Sequence, residues 1–275
     1  MQIRQILDCN ESDRKMSKGE TLIKNTIIFS IGNFGSKLLC FLLVPLYTFY
    51  LTKSEFGYYD LILISCNLAI PVISFQLSDS VYRWLLDYNK DSRREISRVI
   101  SSSLLLLVIN IGFATGVFLI IFPFFKLENA KVVFLFFIAL CIYPFFLQLL
   151  RGFRLNKLYA VCGIVNTLLL VLLNLVLLVG LKLKVEALFW STIVANTVIV
   201  SIIIYKTRLW RFINIKNVSK TLVLELLKYS APLIPNVISW WFISSANRYI
   251  ILNFLGQDEN GLYALASRFP ALLVM

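Results

Sequence analysis

The chain has 275 residues, of which 59% are hydrophobic and only 15% are charged, and its formal net charge is +12. Globular domains contain about 25% charged residues, and a soluble chain of this length could not bury so much apolar surface. The composition therefore excludes an ordinary soluble domain and indicates an integral membrane protein. Histidine is absent, which removes the commonest general base and metal ligand. We expect neither a metal site nor a cofactor.

Long apolar runs predict an all-α fold, a polytopic bundle of transmembrane helices. About 20 apolar residues in a helix cross the hydrocarbon core, and runs that are apolar on every face favour helices over barrel strands, which alternate apolar and polar residues. Seven complete spans are predicted: Leu22–Tyr50, Tyr58–Leu77, Val99–Phe125, Val132–Leu150, Leu158–Leu181, Val185–Tyr205 and Tyr229–Leu255. An eighth begins near Gly261 and, at about 15 residues before Met275, is too short to cross. We therefore expect a truncated chain.

The basic residues are distributed asymmetrically. Of the 27 Lys and Arg residues, 19 lie in the N-terminal segment through Lys24 or in the loops after the second, fourth and sixth spans, and five lie in the opposite loops. The positive-inside rule then predicts a cytoplasmic N-terminus. The same residues lie at helix ends, where they meet anionic headgroups. We therefore expect membrane lipids as partners and no nucleic acid.

Several spans carry one polar stripe on an otherwise apolar surface. An ionisable group at mid-bilayer costs about 2.5–3.5 kcal/mol, so it usually faces a cavity or a partner. The stripes include Asn33 and Lys37 in the first span, Asp60 in the second, Asn236, Trp240, Ser244 and Asn247 or Arg248 in the seventh, and Arg268 in the eighth. Either they line a water-filled central cavity, or the polar residues hold helices together while Lys37 snorkels or pairs with Asp60. The cavity is favoured for Lys37 and Arg248.

Asp79 and Arg83 lie four residues apart at the cytoplasmic end of the second span. Residues at this spacing are neighbours on a helix surface. We predict that they form an i, i+4 ion pair, and we favour a helix-end pair at the interface over a gate.

An internal repeat occurs at an offset of 204 residues. Leu51, Glu55, Gly57 and Tyr59 are matched by Leu255, Glu259, Gly261 and Tyr263. The seventh and eighth spans then repeat the first and second. This predicts a six-helix N-terminal lobe over residues 1–205, a basic cytoplasmic linker over 206–228, and the start of a second lobe over 229–275. Parallel repeats of this kind are typical of transporters.

Two segments resemble a known family. Residues 25–60, NTIIFSIGNFGSKLLCFLLVPLYTFYLTKSEFGYYD, resemble the opening of bacterial polysaccharide flippases. These are the O-antigen and capsule exporters of the multidrug, oligosaccharidyl-lipid and polysaccharide exporter superfamily. Residues 230–268, SAPLIPNVISWWFISSANRYIILNFLGQDENGLYALASR, are similar to the start of that family's second lobe. Members have roughly twice as many spans as one lobe, so this chain falls short of the family's length.

The resemblance implies a transporter of the bacterial inner membrane rather than an enzyme. Its substrate would be an oligosaccharide on undecaprenyl pyrophosphate, moved to the periplasm as two lobes rock around a cationic cavity. Its further partners would be the polysaccharide polymerase and the chain-length machinery. The implied cavity residues are Lys37, Arg248, Arg268, Asn33, Asn247, Trp240 and Trp241, and Asp60 is a candidate for proton or cation coupling.

Two alternatives remain open. A membrane-embedded polysaccharide polymerase or sugar transferase usually carries a long periplasmic loop, whereas the outer loops here are short and offer little for general acid–base chemistry. Within the same superfamily, a multidrug or peptidoglycan-precursor exporter is the other alternative.

Overall fold

The computed structural model describes residues 43–87, 93–121 and 129–273, together with Gly35, Leu39 and Phe41. Every regular element in these ranges is a helix. Residues 43–50 end the first helix, α1. The others are α2 (Lys53–Ser74), α3 (Leu77–Asp87), α4 (Arg93–Ile121), α5 (Ala130–Gly152), α6 (Asn156–Leu175, continued by a π-helix over Val176–Gly180), α7 (Val185–Thr207), α8 (Lys220–Ser230), α9 (Leu233–Ser245), α10 (Asn247–Leu255), α11 (Gln257–Ala266) and α12 (Arg268–Leu273).

The predicted bundle of membrane-spanning helices is confirmed. Among the described residues, five helices are long and apolar enough to cross a membrane: Lys53–Ser74, Arg94–Ile120, Ala130–Gly152, Asn156–Gly180 and Val185–Thr207. They correspond to the second to sixth predicted spans, with ends that differ by a few residues. The chain is therefore a multi-pass membrane protein.

The two ends of the bundle are held by different contacts. At one end, Phe153 packs on Phe212 with ring centroids 6.1 Å apart, and the Arg154 side chain donates to the Leu86 carbonyl at 3.5 Å. At the other end, Lys184 Nζ lies 3.5 Å from Glu55 Oε1. We call the first, with residues 75–87, 152–156 and 208–219, the linker end. The second, with residues 51–55, 181–186 and 256–260, is the far end.

Helix α2 has a well-defined start and a sharp stop. The Thr52 hydroxyl accepts from the Glu55 amide at 3.2 Å, and the Glu55 carboxylate accepts from the Thr52 amide at 2.9 Å. This reciprocal capping box satisfies two of the free amides at the helix start. After Pro71 the helix ends, because Phe75 and Gln76 take left-handed conformations with φ of 51° and 49°. The chain therefore turns at the linker end, and α3 begins at Leu77.

The main core lies toward the linker end and includes the segment that joins the lobes. Fully buried side chains from α3, α4, α5 and α7 meet there, and linker and α8 side chains join them: Leu77, Val81, Ile100, Leu149, Leu150, Ile203, Leu209, Leu222 and Leu226. Because each such side chain contributes about 1.5–3 kcal/mol on burial, this core fixes α8 to the first six-helix unit.

Serine side chains of α4 add polar contacts to the linker. The Ser97 and Ser101 hydroxyls donate to the Phe212 carbonyl at 2.6 and 3.2 Å. The Ser101 hydroxyl also accepts from the Asn214 amide at 2.9 Å, and the Ser102 hydroxyl accepts from the Ser219 amide at 3.1 Å. These bonds satisfy backbone groups of an irregular segment that has few internal partners.

The predicted seventh span is not one continuous helix. Residues 229–255 are divided among the end of α8, helix α9 and helix α10, with breaks at Ala231–Pro232 and at Ala246. Proline lacks an amide proton and cannot continue the helical ladder, which accounts for the first break. The predicted span therefore consists of three helical segments.

Candidate functional site

A cluster of three charged side chains lies between α2 and the helices of the second repeat. Asp60 is only 3% exposed. Its Oδ2 accepts from Arg248 Nε at 2.7 Å, and its Oδ1 lies 3.6 Å from a terminal nitrogen of Arg268. Asp60 belongs to the predicted first lobe, and both arginines belong to the predicted second. The cluster therefore joins the two repeat units with one negative and two positive charges.

Arg248 is held on every side. Besides Asp60, its terminal nitrogens donate to the Ser244 carbonyl at 3.3 Å and to the Ser267 hydroxyl at 2.9 Å. Its guanidinium also lies over the Tyr263 ring, 5.3 Å from the centroid. All three guanidinium nitrogens thus have an acceptor, which offsets the cost of burying the charge.

Arg268 is held more loosely. Its side chain is 38% exposed, against 13% for Arg248. The 3.6 Å to Asp60 is longer than a hydrogen bond. Its guanidinium also lies 5.9 Å from the centroid of the Phe56 ring. Arg268 is therefore the cation of the cluster with most access to another anion.

Two glycines form a close helix crossing near this cluster. A Cβ on Gly57 would lie 2.6 Å from the Gln257 carbonyl oxygen, and one on Gly261 would overlap the Lys53 carbonyl oxygen. Gly57 and Gly261 are partners in the 204-residue repeat, and so are Lys53 and Gln257. The contact is therefore reciprocal, as at a two-fold axis. The repeat axis passes between these glycines at the far end.

Other contacts among α2, α9, α10 and α11 lie near the charges. Trp241 Nε1 donates to the Ile64 carbonyl at 3.0 Å. The Ser65 and Tyr249 hydroxyls are 2.6 Å apart, and the Asn247 side chain donates to the Tyr263 hydroxyl. The predicted residues Asp60, Arg248, Arg268, Asn247 and Trp241 thus lie in one region. The side-chain oxygen Oδ1 of Asn247 is buried and has no hydrogen-bond partner among the described residues.

The other three predicted cavity residues are Trp240, Asn33 and Lys37. Trp240 is 65% exposed, whereas the neighbouring Trp241 donates to Ile64. Asn33 and Lys37 lie outside the described residues, so the alternative in which Lys37 pairs with Asp60 stays a prediction.

The predicted Asp79–Arg83 pair is replaced by other partners. Arg83 Nε lies 3.7 Å from Asp87, and its guanidinium covers the Tyr229 ring at 5.2 Å. Asp79 instead accepts from the Gln76 and Gln148 side chains at 3.2 and 3.3 Å. Both residues lie on α3, but Asp79 bonds to Gln148 of α5, whereas Arg83 lies over Tyr229 of α8. Burial raises the pKa of Asp79, and the nearby Arg151 opposes this shift.

Sequence reasoning missed some members of the site. Ser267 and Tyr263 contact Arg248, yet neither belongs to a polar stripe of the seventh span. The sequence offered a reason to consider Tyr263, because Tyr263 matches Tyr59 in the 204-residue repeat. It offered no comparable reason for Ser267.

Comparison with known proteins places the chain in a family. A family model described as polysaccharide biosynthesis protein matches residues 22–275. A solved structure named protein A aligns with a TM-score of 0.67 and 15% identity over 91% of this chain, and at that identity the likeness shows a shared fold alone. The chain covers 60% of that structure. No curated protein matches the sequence. Because the family model spans nearly the whole sequence, this chain belongs to the polysaccharide biosynthesis protein family.

Proposed function

We propose that this chain forms part of a flippase for a lipid-linked oligosaccharide, an O-antigen or capsule repeat unit on undecaprenyl pyrophosphate. The family supports a role in polysaccharide synthesis or export. The observation that carries the finer proposal is the cluster of Asp60, Arg248 and Arg268, in which two cations face one anion between the repeat units. Buried charges of this kind in a membrane protein usually serve a substrate or ion pathway.

The chemistry of the cluster suits a phosphorylated headgroup. Guanidinium groups bind phosphate oxygens through paired, charge-assisted hydrogen bonds. The excess positive charge acts over short distances in a medium of low dielectric constant, where Coulomb attraction is stronger than in water. Lys37 and Asn33 would add to this cavity from the first span. Trp241 and Asn247 would contact the sugar rings.

Movement of the lobes would expose this site alternately to each side. The glycine crossing holds α2 and α11 in close contact at the far end, which supports a conformation closed at that end. With a cytoplasmic N-terminus, the far end is periplasmic, and the cavity would open toward the cytoplasm of the bacterial inner membrane. Asp60 remains the candidate for ion coupling. The polymerase and the chain-length machinery would act on the exported product.

Complementation tests this function. A strain that lacks its own O-antigen flippase receives the chain, extended to its complete open reading frame, because the sequence covers 60% of the similar solved structure. Surface polysaccharide is compared for the wild type, Arg248→Gln and Arg268→Gln at equal membrane levels. We expect both variants to lose polysaccharide. Lys216→Gln is the matched control, because it removes one positive charge from an exposed linker position. Export that survives both arginine changes would refute the proposal.

A further inference from the structure

The geometry points to Asp60 as an internal anion that occupies the arginine site in this conformation and that a phosphate group of the substrate replaces. This inference rests on the proposed function. It differs from that function in assigning Asp60 the role of a competitor for the two arginines. The exchange would release the contact between the repeat units when substrate binds.

The first support is that the Nε–H of Arg248 is taken by Asp60. Its Nε donates to Asp60, and its terminal nitrogens donate one bond each to Ser244 and Ser267. Ser244 and Ser267 belong to the second repeat, as Arg248 does, so among these three acceptors only Asp60 comes from the first. An anion that binds the Nε–H edge of Arg248 therefore has to take the place of Asp60.

The second support is the poor fit of the carboxylate to two arginines. One oxygen is 2.7 Å from Arg248, but the other is 3.6 Å from Arg268, beyond hydrogen-bond length. In this conformation the Asp60 carboxylate does not reach both guanidinium groups at hydrogen-bond distance. A tetrahedral phosphate is larger, carries more acceptor oxygens, and can bind both arginines at once. Its charge also balances the two cations better than a single carboxylate does.

The third support is the position of Asp60 in the interface. The bond to Arg248 joins α2 to α10, and the Gly57–Gly261 crossing lies one turn away on the same helix. Loss of the Asp60 bond removes a charged contact between the two units while leaving the arginines in place. A ligand that prefers the released state shifts the two-state equilibrium toward it by its difference in affinity. Phosphate binding and opening of the far end are thereby coupled.

Competition of this kind predicts a gain of affinity when Asp60 loses its charge. The anion no longer has to displace a carboxylate, so Asp60→Asn should bind inorganic pyrophosphate at least about tenfold more tightly than the wild type. Asp60→Glu keeps the charge and should remain within about threefold of the wild type. Arg248→Gln should lose binding. Asp87→Asn is the matched control, because Asp87 also pairs with an arginine but lies at the linker end, and it should leave the affinity unchanged.

The experiment uses the full-length protein in phosphatidylcholine nanodiscs, with pyrophosphate binding measured by titration. A second readout is crosslinking between Ser54→Cys and Gln257→Cys, in a background without the native cysteines. These positions are in contact at the far end, where Gln257 Nε2 donates to the Ser54 carbonyl at 3.1 Å. We expect pyrophosphate to lower the crosslinking yield in the wild type. Asp60→Asn should have a low yield even without pyrophosphate.

The outcomes separate this inference from the flippase proposal. If Asp60→Asn binds pyrophosphate no more tightly than the wild type, or if pyrophosphate leaves the crosslinking yield unchanged, the exchange is refuted, whatever complementation shows. If complementation fails but Asp60→Asn gains affinity, the exchange stands and the flippase assignment fails. Nanodiscs that contain phosphatidylglycerol identify the source of the phosphate. A fall in yield from this lipid alone would assign the exchange to a lipid headgroup.

Discussion

Replacement of Gly261 by alanine should open the far end of the bundle. The added Cβ would overlap the Lys53 carbonyl oxygen, and the reciprocal change at Gly57 would place a Cβ 2.6 Å from the Gln257 carbonyl oxygen. Both obstacles are backbone atoms, so no side chain can rotate away to make room. The helices α2 and α11 must therefore separate.

The size of the effect follows from these distances. The 2.6 Å contact at Gly57 is about 0.8 Å short of the 3.4 Å at which ordinary van der Waals contact begins, and the overlap at Gly261 is greater. Forcing extra atoms into a packed contact costs about 1–3 kcal/mol. We expect Gly57→Ala near the lower end of this range and Gly261→Ala near or above the upper end. The double variant should cost less than the sum of the two, because the first change already separates the helices.

Thermal unfolding in detergent, with the crosslinking of Ser54→Cys to Gln257→Cys, measures both consequences. Gly261→Ala should lower the midpoint temperature and the crosslinking yield together. Gly163→Ala in α6 is the control, because a Cβ there meets open space. Alanine stabilises a helix interior by about 0.5–1 kcal/mol relative to glycine, so the control should keep or gain stability. If Gly261→Ala behaved like Gly163→Ala in both assays, the glycine contact would not be what brings these helices together.

Three further predictions concern the linker end. Replacing Ser97 and Ser101 with alanine removes two hydrogen bonds to the Phe212 carbonyl, each worth about 0.5–1.5 kcal/mol. Amide hydrogen exchange over residues 209–219 should therefore accelerate. Ser103→Ala is the control, because it loses only a bond within its own helix and should leave the exchange rate unchanged. Because burial raises the pKa of Asp79, the folded state favours the protonated form, and its contribution to stability is lost as pH rises through the raised pKa. The midpoint temperature of thermal unfolding should therefore decrease less with rising pH, between mildly acidic and neutral pH, in Asp79→Asn than in the wild type. An equal decrease in both proteins would contradict this. The distance between spin labels at Thr221 and Lys157 should stay constant when pyrophosphate is added, whereas the distance between labels at Lys157 and Gln257 should change. A change in the first distance would show that α8 does not move with the first unit.

The spans were predictable because their signal is local and strong. About 20 consecutive apolar residues have one stable arrangement in a bilayer, since every backbone group must be satisfied internally. The five described spans confirm this. Pro232 also indicated a bend or break near Ala231–Pro232, because proline lacks the amide proton that the helix needs. The exact place of the break was not predictable, because membrane helices often tolerate proline and hydropathy alone does not report where a helix breaks.

Partners of charged side chains were harder to predict. Asp60 and Arg248 were each singled out as a charged residue in a span, but no rule of spacing connects residues 188 positions apart. Asp79 and Arg83 were matched by helical spacing alone. That spacing gives only a few tenths of a kcal/mol, so tertiary partners such as Gln148 and Tyr229 can override it. Burial and the neighbouring helices decide which partner is chosen, and neither is encoded in spacing.

The position of the linker limits where the proposed movement could occur. Linker residues Leu209 and Phe212 and α8 residues Leu222 and Leu226 are buried in a core with side chains of α3, α4, α5 and α7. The Ser230 hydroxyl, at the end of α8, bonds to Ser80 of α3. A boundary inside residues 206–228 would break these contacts. After α8, the first break in the helical hydrogen bonding is the turn at Ala231–Pro232. In the proposed movement, the boundary between the two units would therefore lie after Ser230, and the basic linker would move with the first lobe.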